Sequence, residues 1–543
     1  MRIRLLIMAM ALFLASGGKE VKLEKPYTIM IYMNGSDLES EIGAATVDLI
    51  EILESGLRSE NANVVILTGG ANYWQNDIIP AEECVLWHVE DGELFEIKRI
   101  GLLNMGDPDT LADFIIFGLN NFPAEKYGLV LWDHGGGAIA GFGHDENFDY
   151  YDEGSLTLPE MDYAFKKAGL DGQKLEWLGF DSCLMATVEM AQIASRYAKY
   201  LVASEDLEPG DGWDYKFLSL LNQYPRASGY LLGREIVDTF MDFYGPDSDE
   251  ILTLSVTDLN KVQRVMETMG ILMEQCSSKL LDDYSYQNSF VNLARRRNLT
   301  KTFGEGSPRD NESDMVDIGD MSHHLADLFP EETRAIRIAL RDAVLYNRHN
   351  SYVPLYGLSA YYVYGGKFYE ALDLYAQLDV DESYIWYLEK FFDMLLKRER
   401  EERMRLYGGE SDKGNFNESS VNEDTQVLNA PVQHRGNVMG WPVILYRTAQ
   451  LKDSTQYAIP AKINGKDCDI VVCAKNEKTA SITVPHNLKV LGYRYTDNLV
   501  KQKGYTTLEP GDRLAFYYPI KHFYQLELPE YRWFLGSEFE IRA

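Results

Sequence analysis

Along the first half of the chain, short apolar runs alternate with segments of helical period. Tyr27 to Met33 (YTIMIYM) is continuously apolar, β-branched and aromatic, the pattern of a strand buried on both faces. Asn63 to Thr68 (NVVILT), Tyr127 to Trp132 (YGLVLW), Leu175 to Phe180 (LEWLGF) and Tyr200 to Ser204 (YLVAS) read the same way. Ser36-Asp37-Leu38-Glu39 has capping-box spacing and predicts a helix through Leu53. Further helices are predicted over Thr110 to Asn120, Leu158 to Ala168 and Cys183 to Tyr197. Strands and helices alternating at this rhythm imply a mostly parallel sheet with right-handed crossovers and helices on both faces, an α/β/α sandwich. Ile251 to Val256 and Gly357 to Val363 offer further strands.

The second half changes character. Glu331 to Tyr346 and Ser383 to Met404 are helical in period and charge. Residues 396–426 read as a charged helix end, Lys397 to Arg405, followed by a linker in which Gly, Ser, Asn and Asp dominate. Over residues 427–543 the pattern becomes short alternating runs, among them Val443 to Tyr446, Asp469 to Ala474, Ala480 to Val484 and Arg513 to Tyr518. Turn residues separate them, so a small all-β C-terminal domain is predicted. At the other end, Arg2 and Arg4 precede an apolar run from Leu5 to Leu14, and Ala15-Ser16-Gly17 supplies small residues for a cut. Residues 1–17 therefore read as a signal peptide, and the mature protein as exported, either secreted or held in a periplasm or cell envelope. No segment is long and apolar enough to be read as a membrane span.

A chain of 543 residues exceeds what one core usually serves, which agrees with two domains. The net charge of −32 opposes binding to nucleic acid or anionic lipid and favours basic peptides. Five scattered cysteines, none in a CxxC pair, make neither a disulfide framework nor a zinc ribbon. They leave open a reactive thiol.

Two strand ends carry chemistry. The third strand runs into Asp133-His134-Gly135-Gly136-Gly137, and the fourth into Asp181-Ser182-Cys183. In a parallel sheet both ends lie on one edge, where α/β folds bind ligands, so His134 and Cys183 would share a crevice. The glycines after His134 let a carbonyl approach backbone N–H groups. A helix opening at Cys183 would lower its thiol pKa. The acidic loop HDENFDYYDEG offers Asp145, Asp149 and Asp152 as oxygen ligands for calcium, but without EF-hand spacing. His323 and His324 are adjacent, so on a helix they diverge, and no metal site is expected there. HExxH, GxSxG and Walker motifs are absent from the sequence.

The His-Gly strand end paired with a strand ending Asp-x-Cys resembles the clostripain-like cysteine peptidases, family C11 of the caspase–gingipain–legumain clan. YMNGSDLE, SEDLEPGDGWDY and VDIGD agree with it, and the resemblance covers residues 25–395. It implies a caspase-like fold and a cysteine endopeptidase with Cys183 as nucleophile and His134 as general base and acid. No cofactor is required, and protein or peptide substrates with basic residues are the implied partners. Backbone N–H groups of Gly135 and Cys183 are candidates for the oxyanion hole. Cleavage after Arg or Lys needs a carboxylate at the base of the pocket, for which Asp181 and Asp211 are the candidates. Glu205, Asp206 and Glu208 crowd the same loop. From Gly135 to Phe165 there is no Lys or Arg, so activation by cutting after a basic residue in that loop is not expected. The competing reading is a non-catalytic peptide- or glycan-binding protein that retains the peptidase fold.

Overall fold

The structure is a computed structural model that describes residues 24–148, 155–172, 174–246, 248–282, 286–304, 313–364, 374–375, 377–378, 380–407, 433–438, 441–451, 453–475, 488–496, 503–522, 530–535 and 538–541. Strand β1 (Lys25–Asn34) runs through the middle of the first domain, and its side chains alternate between two cores. Met30 and Tyr32 enter one core, whereas Ile29, Ile31 and Met33 enter the other. A strand needs apolar residues at every position only when both faces are covered. Helices Pro108–Asn121, Leu158–Lys167 and Val262–Asp282 supply the first core, and Ala44–Glu54 and Gly229–Tyr244 the second.

The remaining strands of this domain are β2 (Ala62–Gly69), β3 (Val85–Glu90), β4 (Glu93–Arg99), β5 (Ala124–Trp132), β6 (Leu175–Asp181), β7 (Ala198–Ala203), β8 (Thr253–Asp258), β9 (Thr302–Phe303), β10 (Met315–Asp317), β11 (Val344–His349) and β12 (Ser359–Tyr361). Among the described residues, the main sheet has nine strands in the order β11-β8-β7-β6-β5-β1-β2-β3-β4. Pairing from β7 through β2 is parallel, and the strands at both edges are antiparallel. This is the caspase-like α/β/α sandwich that the sequence implied.

Several local expectations are corrected. The helix expected from Ser36 is two helices, Ser36–Ile42 and Ala44–Glu54, separated by Gly43 at φ 72°. No capping box forms, because the Ser36 hydroxyl donates to Asp133 instead, at 2.7 Å. The helix predicted to open at Cys183 spans only Val188–Ala194, with the Thr187 side chain as its N-cap. The helix expected through Tyr346 stops at Ala343, where the β-branched Val344 starts β11. The strand near Gly357 to Val363 joins β10 and β9 in a separate three-stranded sheet. The hairpin of β3 and β4 was not anticipated, although its turn residues Asp91 (φ 47°) and Gly92 (φ 79°) are those a two-residue hairpin turn requires.

The C-terminal segment forms β13 (Gln433–Val438), β14 (Trp441–Gln450), β15 (Ser454–Ile463), β16 (Lys466–Lys475), β17 (Lys489–Tyr495), β18 (Arg513–His522), β19 (Glu530–Leu535) and β20 (Phe539–Glu540). All of these pairs are antiparallel, around a core that includes Leu445, Ile459, Ile470, Val472, Leu514 and Phe516. The signal peptide, the linker beyond Tyr407 and the strand expected at Ala480 to Val484 lie outside the described residues. Among the described residues no helix is long and apolar enough to cross a membrane. The β domain touches the first domain where Lys489 pairs with Asp249 at 2.8 Å and where the Tyr352 N–H donates to the Gln450 carbonyl at 3.1 Å.

Gly128 of β5 pairs with Trp177 of β6, and a Cβ on it would lie 2.5 Å from the buried indole. Gly128→Ala is therefore expected to destabilise the protein by about 1–3 kcal/mol, read as a lower midpoint of chemical denaturation. An unchanged midpoint would mean that the ring can move aside.

Candidate active site

The parallel register sets Met33 of β1 beside Trp132 of β5, and Trp132 beside Asp181 of β6. Residues just past these strands consequently emerge together at the carboxyl edge of the sheet, where α/β folds place their sites. Asp37 follows β1, His134 follows β5 and Cys183 follows β6.

Asp133 anchors the turn that presents His134. Its buried carboxylate accepts from Ser36 Oγ at 2.7 Å, from Asn34 Nδ2 at 2.5 Å and from the His144 N–H at 2.6 Å. Burial pushes its pKa to about 7, against the pull of these donors and of the His134 charge. His134 Nε2 lies 2.6 Å from Asp37 Oδ1, and its Nδ1 lies 2.8 Å from the backbone nitrogen of Lys503. The partners assign the tautomer: Nε2–H donates to Asp37, and Nδ1 accepts from the Lys503 N–H. Burial alone would lower the imidazole pKa, but the Asp37 carboxylate outweighs it, and the net shift is upward from 6.5. Burial likewise opposes ionisation of Asp37, yet the His134 charge and hydrogen bond bring it down to about 2.

Cys183 is fully buried, and its sulfur accepts the Glu208 N–H at 3.2 Å. Burial pushes the thiol up to about 12, only partly opposed by that N–H. The lowered thiol pKa expected from a helix N-terminus is not found, because the helix begins beyond the cysteine and burial raises the thiol. Leu184 instead turns the chain at φ 64°, and its N–H donates to the Asp206 carbonyl at 3.1 Å. Ala186 N–H donates to the Ser204 carbonyl at 2.8 Å, so the loop after β6 is fastened to the loop after β7. Gly135 packs against this loop so closely that a Cβ would lie 1.9 Å from the Cys183 carbonyl oxygen. Only glycine fits there, which brings the Gly135 and Cys183 backbones together.

Beside this pair is a buried acidic pocket. The Lys503 ammonium pairs with the Asp181 carboxylate, lies 3.2 Å from the Asp181 carbonyl oxygen and is 3.9 Å from Glu208 Oε2. It also sits 5.3 Å from the centre of the Trp132 ring, whose indole N–H donates to Asp48 at 2.5 Å. Asp181 accepts in addition from the Tyr215 hydroxyl at 3.1 Å and from the Trp213 N–H at 3.4 Å. Burial raises both Asp48 and Glu208 well above the carboxylate range. Burial would lower Lys503, but Asp181, Glu208 and Asp48 together raise it, so the ammonium stays charged. An ammonium buried without such partners would cost several kcal/mol.

Asp211, the other expected pocket residue, is exposed to solvent rather than buried beside Asp181. Of the crowded carboxylates, Glu205 accepts the Gly357 N–H at 2.7 Å and Asp206 the Gly304 N–H at 3.0 Å. Glu208 is the one that turns to the pocket. The proposed calcium ligand Asp145 is buried and accepts N–H groups of Met105 at 2.8 Å and Asn147 at 2.9 Å, while Asp149 and Asp152 lie outside the described residues. Among the described residues, no cluster of three or more His, Cys, Asp or Glu groups suits a metal. Asp37, Asp48 and Lys503 were not anticipated. Asp37 lies in the YMNGSDLE segment after β1, so the strand-edge argument reaches it once its helix is seen to begin at the sheet edge.

The Clostripain family model matches residues 31–405. Clostripain of Hathewaya histolytica is 30% identical over 223 residues, and the chain spans 40% of that protein's length, using 35% of its own. The crystal structure of a secreted C11 cysteine protease from Bacteroides thetaiotaomicron, iotapain, aligns with a TM-score of 0.50 at 16% identity. That alignment covers 67% of this chain and 100% of the other, a likeness of fold.

Because Asp37 raises the His134 pKa, Asp37→Asn is expected to lower it. An NMR titration of the His134 ring protons reads the shift directly. A value that stays put would show that Asp37 does not control the imidazole charge.

Proposed function

The chain belongs to the clostripain family, and on that premise we propose that it is an exported cysteine endopeptidase using Cys183 and His134. The observation that supports this most is the emergence of His134 and Cys183 from the neighbouring parallel strands β5 and β6, with Asp37 behind the imidazole. In this reading His134 takes the proton of Cys183, and the thiolate attacks the scissile carbonyl. The amide C–N bond breaks as His134 protonates the leaving amine, which leaves an acyl-enzyme. Water, deprotonated by His134, then releases the acid and regenerates the thiol. Asp37 holds the ring and stabilises its charged form, the part that no residue could be given from the sequence. The backbone N–H groups of Gly135 and Cys183 are assigned to the oxyanion of the tetrahedral intermediate.

Cleavage after a basic residue is supported by the buried carboxylates of Asp181 and Glu208 beside the pair. Glu208 replaces Asp211 in this assignment because Asp211 faces solvent. A cation entering the pocket meets an anion in a dry site, where charge-assisted hydrogen bonds are strongest. Export rests on the basic and apolar N-terminal residues, from Arg2 to Leu14.

Peptides differing only at the residue before the scissile bond test both claims. Turnover after Lys or Arg is expected, and Cys183→Ala should lose it while keeping the fold by circular dichroism. Undiminished turnover by the variant would remove Cys183 from the mechanism. Asp181→Asn is expected to cut turnover of basic substrates by about 100-fold or more, since a buried charge partner is lost. Equal turnover would take the specificity pocket elsewhere.

A further inference from the structure

The pocket just described is already filled, and its occupant comes from the other domain. We infer that the C-terminal β domain is a tethered inhibitor of the cleft, with Lys503 as the substrate-like anchor that the pocket binds. This rests on the reading of the cleft as a peptidase site.

Lys503 is wholly buried, although it lies 322 positions from Asp181 in the chain. Its two polar ends meet the two halves of the site. The ammonium takes Asp181 and approaches Glu208, while the backbone N–H takes His134 Nδ1. A lone pair engaged by that N–H cannot receive a proton from a thiol. Side chain and main chain thus block specificity and chemistry together, which a merely structural lysine has no reason to do.

The fit extends to the backbone that follows Lys503. Gly504 N–H donates to the Glu208 carbonyl at 2.8 Å, the same residue whose own N–H meets the cysteine sulfur. Gly504 has φ 66°, and a Cβ on it would lie 2.4 Å from the Gly210 nitrogen. Across the pocket, a Cβ on Gly212 would lie 2.6 Å from the Lys503 ammonium. The segment is also stiffened from behind. Thr506 exchanges backbone hydrogen bonds of 2.9 Å with Tyr493, and the Arg494 guanidinium stacks 4.1 Å from the centre of the Tyr505 ring. The Tyr505 hydroxyl accepts from Gln456 at 3.0 Å, which ties the segment to β15. A rigid strap presenting one lysine binds with little ordering entropy, so it competes well with a flexible peptide.

The test uses the full chain. Wild type, Lys503→Ala, Gly504→Val and Cys183→Ala are compared for turnover of a lysyl peptide. The rate at which a lysyl peptide with a thiol-directed electrophile labels each is measured as well, with folding checked by circular dichroism. Lys503→Ala removes the anchor, whereas Gly504→Val keeps the lysine and forces the strap off Gly210, so the two do not share a route to misfolding. Both are expected to turn over and label about tenfold faster than wild type or better, as the closed population is released. Wild type as fast as both folded variants, with Cys183→Ala silent, would overturn the inhibition and leave the peptidase reading intact. Silence from every folded protein, in turnover and in labelling, would overturn the peptidase reading and this inference with it.

Discussion

Parallel pairing of β1, β5 and β6 in one register is the constraint on which the site depends. Strand side chains alternate with a period of two, so a slip of one residue would send Trp132 and Val130 into the core now filled by Leu129 and Leu131. Because both faces are buried, such a slip would exchange large and small residues throughout the sheet, and packing density does not tolerate that. The close fit of Gly128 under Trp177 is one place where the register is felt. The ladder runs one step past β5, since the Asp133 N–H reaches the Asp181 carbonyl at 3.4 Å. What leaves the sheet at that edge does so at a common height, and residues 37, 134 and 183 follow neighbouring strands without any local motif joining them.

Burial then gives similar residues different tasks. Asp37 and Asp133 both act electrostatically on His134, yet one is brought down to about 2 and the other pushed up to about 7. Asp37 faces the imidazole, whereas Asp133 spends its oxygens on loop donors and acts as a fastener. Glu205, Asp206 and Glu208 divide in the same manner: two fix neighbouring loops by accepting N–H groups, and the third borders the pocket. Composition shows an excess of acid but not this division of labour, because it is decided by which backbone donors the fold brings within reach.

The central strands were legible because a doubly buried strand writes its burial as an unbroken apolar run, as in Tyr27 to Met33. The placement of His134 and Cys183 at one sheet edge was legible because each follows such a run. The edge hairpin β3–β4 was less so: its exposed face is polar, and only Asp91-Gly92 marks its turn. The segment after Cys183 is apolar enough for a helix, but its first residues are claimed by hydrogen bonds to the loop after β7. Nothing near Lys503 in the sequence distinguishes it from a solvated lysine. Its meaning lies in partners 322 and 369 positions away, which only the folded chain brings together.

Chain order adds a dimension of time. Asp48, Asp181 and Glu208 are synthesised well before Lys503. Domains fold as units, the N-terminal one first. The first domain can therefore complete its cores before Lys503 exists to fill its acidic pocket, and the β domain closes the cleft only once the strap follows β15 and β17, which hold it. A chain that stops short of Lys503 is, on this account, a more open molecule than one that includes it.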